Sequence, residues 1–197
     1  MFERFTKDAR AVVLGAVGHA ERLDAETVEE QHLLLALLDR EASRASFALM
    51  SLGLSERRES VEEALAEARR RGGLSRADTD ALSGLGIDVS AIVSRVEEAH
   101  GEGALESSPD SRGGGRTRGW WSGFLGGHRP FAQGAKDLLT ESLRIALAQQ
   151  DRYIGDEHLL LALTARPGVP AEVLADHGVT YASLRRVLYG GGEAKAG

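Results

Sequence analysis

Apolar residues along this chain recur at helical spacing, and strand-like alternation is absent over any useful length. The pattern predicts helices over 6–22, 28–40, 44–52, 56–71, 78–85, 89–99, 133–149, 156–165, 170–177 and 181–189. Two of them carry HLLLAL blocks, at 32–37 and 158–163, that are apolar all round. A helix with no polar face belongs at the centre of a core, with amphipathic helices packed about it. The 56–71 helix is one of these: Val61, Leu65 and Ala68 share a side and charges fill the rest.

Helix boundaries are marked as well. Thr6, Ser55, Asp88 and Thr180 stand where N-caps are needed, and Thr27 with Glu30 fits a capping box. The phrases LMSLGL (49–54), LSGLGI (82–87) and LADHGV (174–179) each read as a helix ending at a glycine.

The pattern also repeats. Residues 5–38 align without a gap on 131–164, at an offset of 126. Phe5/Phe131, Ala9/Ala135 and Ala20/Ala146 are identical, as is the block from His32–Leu37 to His158–Leu163. Arg10/Lys136, Val13/Leu139 and Val28/Ile154 are conservative pairs. Six consecutive matches in one block point to duplication. The chain is therefore divided into a first repeat over 1–100, with an additional helix near 56–71; a linker over 101–130; a second repeat over 131–190; and a tail over 191–197. The linker rests on composition, since nine of its thirty residues are glycine.

Composition narrows the function. A formal net charge of −6 argues against a nucleic-acid partner. With no cysteine there is neither a disulfide framework nor thiolate chemistry, which fits a reducing cytoplasm. No apolar run is long enough to span a bilayer, so a membrane is not among the expected partners. There is no P-loop, no G-x-S-x-G elbow and no HExxH, and the six histidines do not cluster at metal-ligand spacing. The reading is a non-enzyme without metal or cofactor. His32 and His158 are assigned structural roles, ring packed and nitrogen bonded to the helix start. Trp120 and Trp121, with Phe124, are large apolar residues in the Gly-rich linker. They either fold back on the protein or form a partner-binding segment.

The opening MFERFT, the duplicated His-Leu-Leu-Leu-Ala-Leu block, the glycine helix ends and GHRPFAQGAK at 127–136 together resemble the N-terminal repeat domain of the Clp-type AAA+ unfoldases, especially actinobacterial ClpC. The ATPase modules of the full unfoldase are not in this sequence. The resemblance implies an all-α fold of two tandem four-helix repeats related by a pseudo-twofold. It implies a domain that docks substrates, adaptor proteins or cyclic peptide antibiotics and thereby modulates ClpC–ClpP proteolysis. The alternative is a regulator that binds ClpC or a stress or transcription factor through the tryptophan linker.

Some members of the family recognise phosphorylated arginine, pairing its guanidinium with the Glu before the repeated His and its phosphate with the start of each repeat's first helix. Carried over by position within each repeat, one site would use Thr6 and Gln31, the other Ala132 and Glu157. On that pairing each site lacks one partner. Gln31 for Glu exchanges a charged hydrogen bond for a neutral one, roughly 1 kcal/mol or about fivefold in affinity. The resemblance also places a cyclic-peptide groove at Phe2, Arg10, Val13, Phe131 and Lys136.

Overall fold

The two all-apolar helices, α2 (Glu30–Leu38) and α8 (Asp156–Ala165), lie side by side at the centre of the protein. His32 through Leu37 and Asp156 through Leu163 are buried without a break. This computed structural model describes residues 4–101 and 129–190. The linker expected over 101–130 falls outside that range except for Gly101, Arg129 and Pro130, as does the tail over 191–197. Phe2, Trp120, Trp121 and Phe124 also lie outside the described residues.

Among the described residues the other helices are α1 (Lys7–Arg22), α3 (Arg44–Ser51), α4 (Arg58–Arg70), α5 (Arg76–Gly84), α6 (Val89–His100), α7 (Gln133–Ala148), α9 (Val169–Asp176) and α10 (Tyr181–Tyr189). Each answers to an expected span. The three glycine ends are real: Gly53, Gly86 and Gly178 take φ of +72°, +81° and +82°. The residue after each returns its N–H five residues back, as from Leu54 to Leu49 O at 2.9 Å and from Val179 to Leu174 O at 2.8 Å. Leu54 and Val179 are then buried in the core.

Some local expectations change. Ser55 does not cap α4; it opens a 3-10 turn, Ser55–Arg57, that leads into it. Thr27 does not cap α2 either. There the backbone N–H of Glu29 bonds His32 Nδ1 at 2.9 Å, so the His supplies half of a capping box.

The helix expected as an addition near 56–71 is the fourth helix of the first repeat. Shifted by 126, α1 gives the bounds of α7, and α4 stands to α2 and α9 as α10 stands to α8 and α3. The additions without a counterpart among the described residues are α5 and α6. They pack on each other and are tied to the second repeat by the Arg76 N–H on Glu172 Oε2 (2.8 Å) and by the Arg76–Asp176 ion pair (3.1 Å).

The repeats are joined by exchange. The strand-like segment before α1 pairs with the residue before α8, in the parallel bridge Phe5–Ile154. The segment before α7 pairs with the residue before α2, in the bridge Val28–Phe131. An offset of 126 turns the first bridge into the second. That reciprocity is the mark of a twofold relation, here within one chain.

Candidate binding site

The exchanged bridges decide which residues share a site. Thr6 donates its N–H to Ile154 O at 2.9 Å, and Ile154 returns its own to Arg4 O at 2.7 Å. This sets the first turn of α1 against the first turn of α8. Thr6, Asp8, Ser43, Arg44, Asp156 and Glu157 accordingly line one open pocket of ≈ 350 Å³. Thr6 is the N-cap of α1, its Oγ1 accepting from Ala9 N at 3.2 Å. The pairing expected within each repeat is thus crossed. Thr6 faces Glu157, while Ala132 bonds Val28 O at 2.9 Å beside the start of α2, which carries Gln31. One composite site keeps both expected partners, and the other has lost both.

Glu157 is held in place by its surroundings. Its side chain is only 5% exposed, and Oε1 accepts from Arg44 Nη1 at 2.7 Å. Burial pushes its carboxyl up to about 7; the adjacent Asp156, which hydrogen-bonds it, adds to the rise, and Arg44 pulls against it. Asp156 is itself buried and accepts the Ala45 N–H at 3.2 Å, tying α8 to the first turn of α3. Gly155 makes the room. A Cβ there would fall on the Glu157 carboxylate.

His158 completes the cluster. Its Nδ1 accepts the Gly155 N–H at 2.9 Å, which leaves the proton on Nε2. Nε2 lies 3.0 Å from Asp151 Oδ2 and 3.2 Å from the Tyr189 hydroxyl. Burial lowers the His158 pKa against the pull of Asp151, and burial with Glu157 nearby pushes the Tyr189 phenol up to about 12. Asp151, Glu157 and His158 bring one ligand atom each within 4.8 Å of one another. The Arg44 guanidinium already answers the charge on Glu157, which disfavours a cation there.

The other composite site is filled. A Cβ on Gly134 would sit 2.6 Å from the Glu30 carboxylate, so that carboxylate occupies the space beside α7. Burial raises the Glu30 pKa, and Arg166 lies 3.9 Å away. Gln31 is turned to its own helix start, donating to Glu29 Oε2 at 2.7 Å. His32 keeps the Nδ1 bond of its counterpart, but its buried Nε2 has no partner. Ala25 stands where the offset would put a second Asp151.

Of the expected cyclic-peptide groove, Val13 and Phe131 are closed to solvent. Both belong to the core, and Phe131 sits in the bridge that joins the repeats. Arg10 is exposed and donates to Phe5 O at 3.2 Å, and Lys136 is half-buried. Sequence reasoning missed Arg44, Asp151 and Tyr189. It also missed an open groove of ≈ 540 Å³ that carries Phe47 and Met50 of α3 opposite Val187 and Leu188 of α10. The signal for the pocket was Gly155, which stands where the first repeat has Glu29.

The Clp repeat (R) N-terminal domain family matches residues 4–79 and 130–194, the two halves that the exchanged bridges join. The chain belongs to that family. As a Clp repeat domain it is 28% identical over 186 residues to the ATP-dependent Clp protease ATP-binding subunit ClpA homolog of Cyanidium caldarium. It is also 28% identical over 186 residues to the chloroplastic chaperone protein ClpC1 of Arabidopsis thaliana. Each alignment covers 94% of this chain, which spans 16% and 14% of those relatives. The N-terminal domain of the caseinolytic protease associated chaperone ClpD from Arabidopsis thaliana aligns over 95% of this chain and 94% of that one, at 18% identity and a TM-score of 0.48. No helix among the described residues is long and apolar enough to cross a membrane.

Proposed function

We propose that this Clp repeat domain is a non-catalytic module of the Clp protease system that binds proteins or peptides through the Thr6–Glu157 pocket. Substrates or adaptors of a ClpC–ClpP protease are the partners in view. The observation that carries the reading is the crossed pairing, which puts a buried carboxylate and the capped N-terminus of a sixteen-residue helix around one pocket. Free N–H groups and the helix dipole favour an anion at that terminus. A carboxylate forms charge-assisted, geometrically specific bonds with a guanidinium. A ligand with both groups, a phosphorylated arginine side chain, matches the two ends.

Calorimetric titration with phosphoarginine tests this. Binding to the wild type that is weakened about fivefold in Glu157→Gln and also weakened in Thr6→Val is expected. Binding unchanged by both substitutions would place the ligand elsewhere and remove the reading.

A further inference from the structure

The guanidinium seat of this pocket already holds a guanidinium, that of Arg44. We infer that Arg44 is an internal placeholder, a side chain that an incoming arginine must displace from Glu157. The inference rests on the Thr6–Glu157 reading and adds to it that the resting site is self-competed.

Four observations converge. First, Arg44 covers Glu157 from the solvent side: its own side chain is 54% exposed, while that of Glu157 is 5% exposed. A brace inside the core would be buried on both sides.

Second, the backbone of Arg44 is fixed without its side chain. Ser43 caps α3 by accepting from Ser46 N at 3.2 Å, and the next amide, Ala45 N, is bound to Asp156 Oδ2. The arm can leave the carboxylate with the helix start intact.

Third, the arm holds a second contact beside the one to Glu157. Its Cζ lies 5.9 Å from the centroid of the Tyr189 ring, within cation–π range. Arg44 also lines the neighbouring groove of Phe47, Met50, Val187 and Leu188, and with Ala42 and Ser43 it borders both cavities.

Fourth, the fold does not require it. α3 and α9 correspond at an offset of 125, which sets Gly53 on Gly178 and puts Val169, the first residue of α9, at the equivalent point of the second repeat.

The ligand consequence is specific. A guanidinium that replaces Arg44 gains Glu157 but must break an existing charge-assisted bond, so the affinity seen is the difference between the two. An arm left half in water is weakly held, and its removal is expected to tighten binding on the order of fivefold.

The test is phosphoarginine titration of the full chain as wild type, Arg44→Ala, Arg44→Gln and Glu157→Gln, with circular dichroism confirming the fold of each. Tighter binding in both Arg44 variants, abolished by adding Glu157→Gln, supports the placeholder. Binding that first becomes measurable in the Arg44 variants supports it more strongly. If wild-type binding is weakened in Glu157→Gln and is unchanged or weakened in both Arg44 variants, the placeholder is overturned and the pocket reading stands. If neither the wild type nor the Arg44 variants bind at millimolar ligand, both fall together.

Discussion

Thr6 is bonded through its N–H to the carbonyl of Ile154 at 2.9 Å, so the head of the first repeat is fixed to the threshold of the helix that carries Glu157. The two repeats trade their first segments, and every site at their junction is built from both halves of the chain.

The trade predicts a pattern of energetic coupling. Thr6→Val and Glu157→Gln remove groups from one pocket, so their effects on phosphoarginine affinity should be non-additive by about 1 kcal/mol. Thr6→Val and Gln31→Ala touch different sites and should add within about 0.5 kcal/mol. A double-mutant cycle read by calorimetry separates the crossed arrangement from pairing within a repeat. Coupling between Thr6 and Gln31 would refute the crossing.

Much of the fold was legible because repetition and burial leave direct marks. The all-apolar HLLLAL blocks identified the two central helices, and glycine ends before Leu54 and Val179 marked the turns that bury those residues. Which half faces which was not legible. A duplicated sequence is equally compatible with repeats that keep their own segments and repeats that exchange them, and only the Phe5–Ile154 and Val28–Phe131 bridges distinguish the two. The cover over Glu157 was hidden for a similar reason. Arg44 is 113 residues away, and as a charged residue at the start of a helix it looks like any solvated side chain.

Gly155 should be needed for space rather than for conformation. Its φ of −89° and ψ of 171° suit any residue. The Cβ of Gly155→Ala would land on the Glu157 carboxylate and push it off Arg44. We expect a loss of about 1–2 kcal/mol in stability, together with weakened phosphoarginine binding comparable to that of Glu157→Gln. Chemical denaturation and calorimetry on the same sample check both. Wild-type behaviour in Gly155→Ala would mean that the carboxylate has another seat.

The pH dependence should show two buried groups working against each other. Burial, with Arg69 nearby, lowers the His32 pKa to about 4 from an ordinary value of 6.5. The folded state then binds fewer protons than the unfolded chain between those values, so the His32 contribution is lost as pH falls through that window, by about 2 kcal/mol from pH 7 to 5. Glu157 is raised from 4.5 to about 7, so its contribution is present below 4.5 and is lost as pH rises through 7. Urea denaturation at pH 5 and pH 7 should show His32→Gln losing less stability on acidification than wild type. Glu157→Gln should lose more. The same direction of change in both variants would contradict the assignment.

His32 also suggests a repair. Its Nδ1 takes the Glu29 N–H, so the proton sits on Nε2, buried and without a partner. An unmet buried donor costs roughly 1–3 kcal/mol. His158 avoids that cost through Asp151, and the offset puts Ala25 in the place of that aspartate. The carbonyl of Ala25 already receives Arg129 Nη1, so a carboxylate placed there would also have a cation close by. Ala25→Asp should therefore stabilise the protein by about 1 kcal/mol, the gain from a charge-assisted bond set against the cost of half-burying the new group. The gain should vanish when His32→Leu is added, because Leu has no N–H to give the new carboxylate, and the cost of losing the Glu29 N–H bond is read from the His32→Leu single variant. Thermal denaturation of the wild type, both single variants and the double variant measures this directly. Stabilisation that survives in the double variant would trace to Arg129 and not to His32.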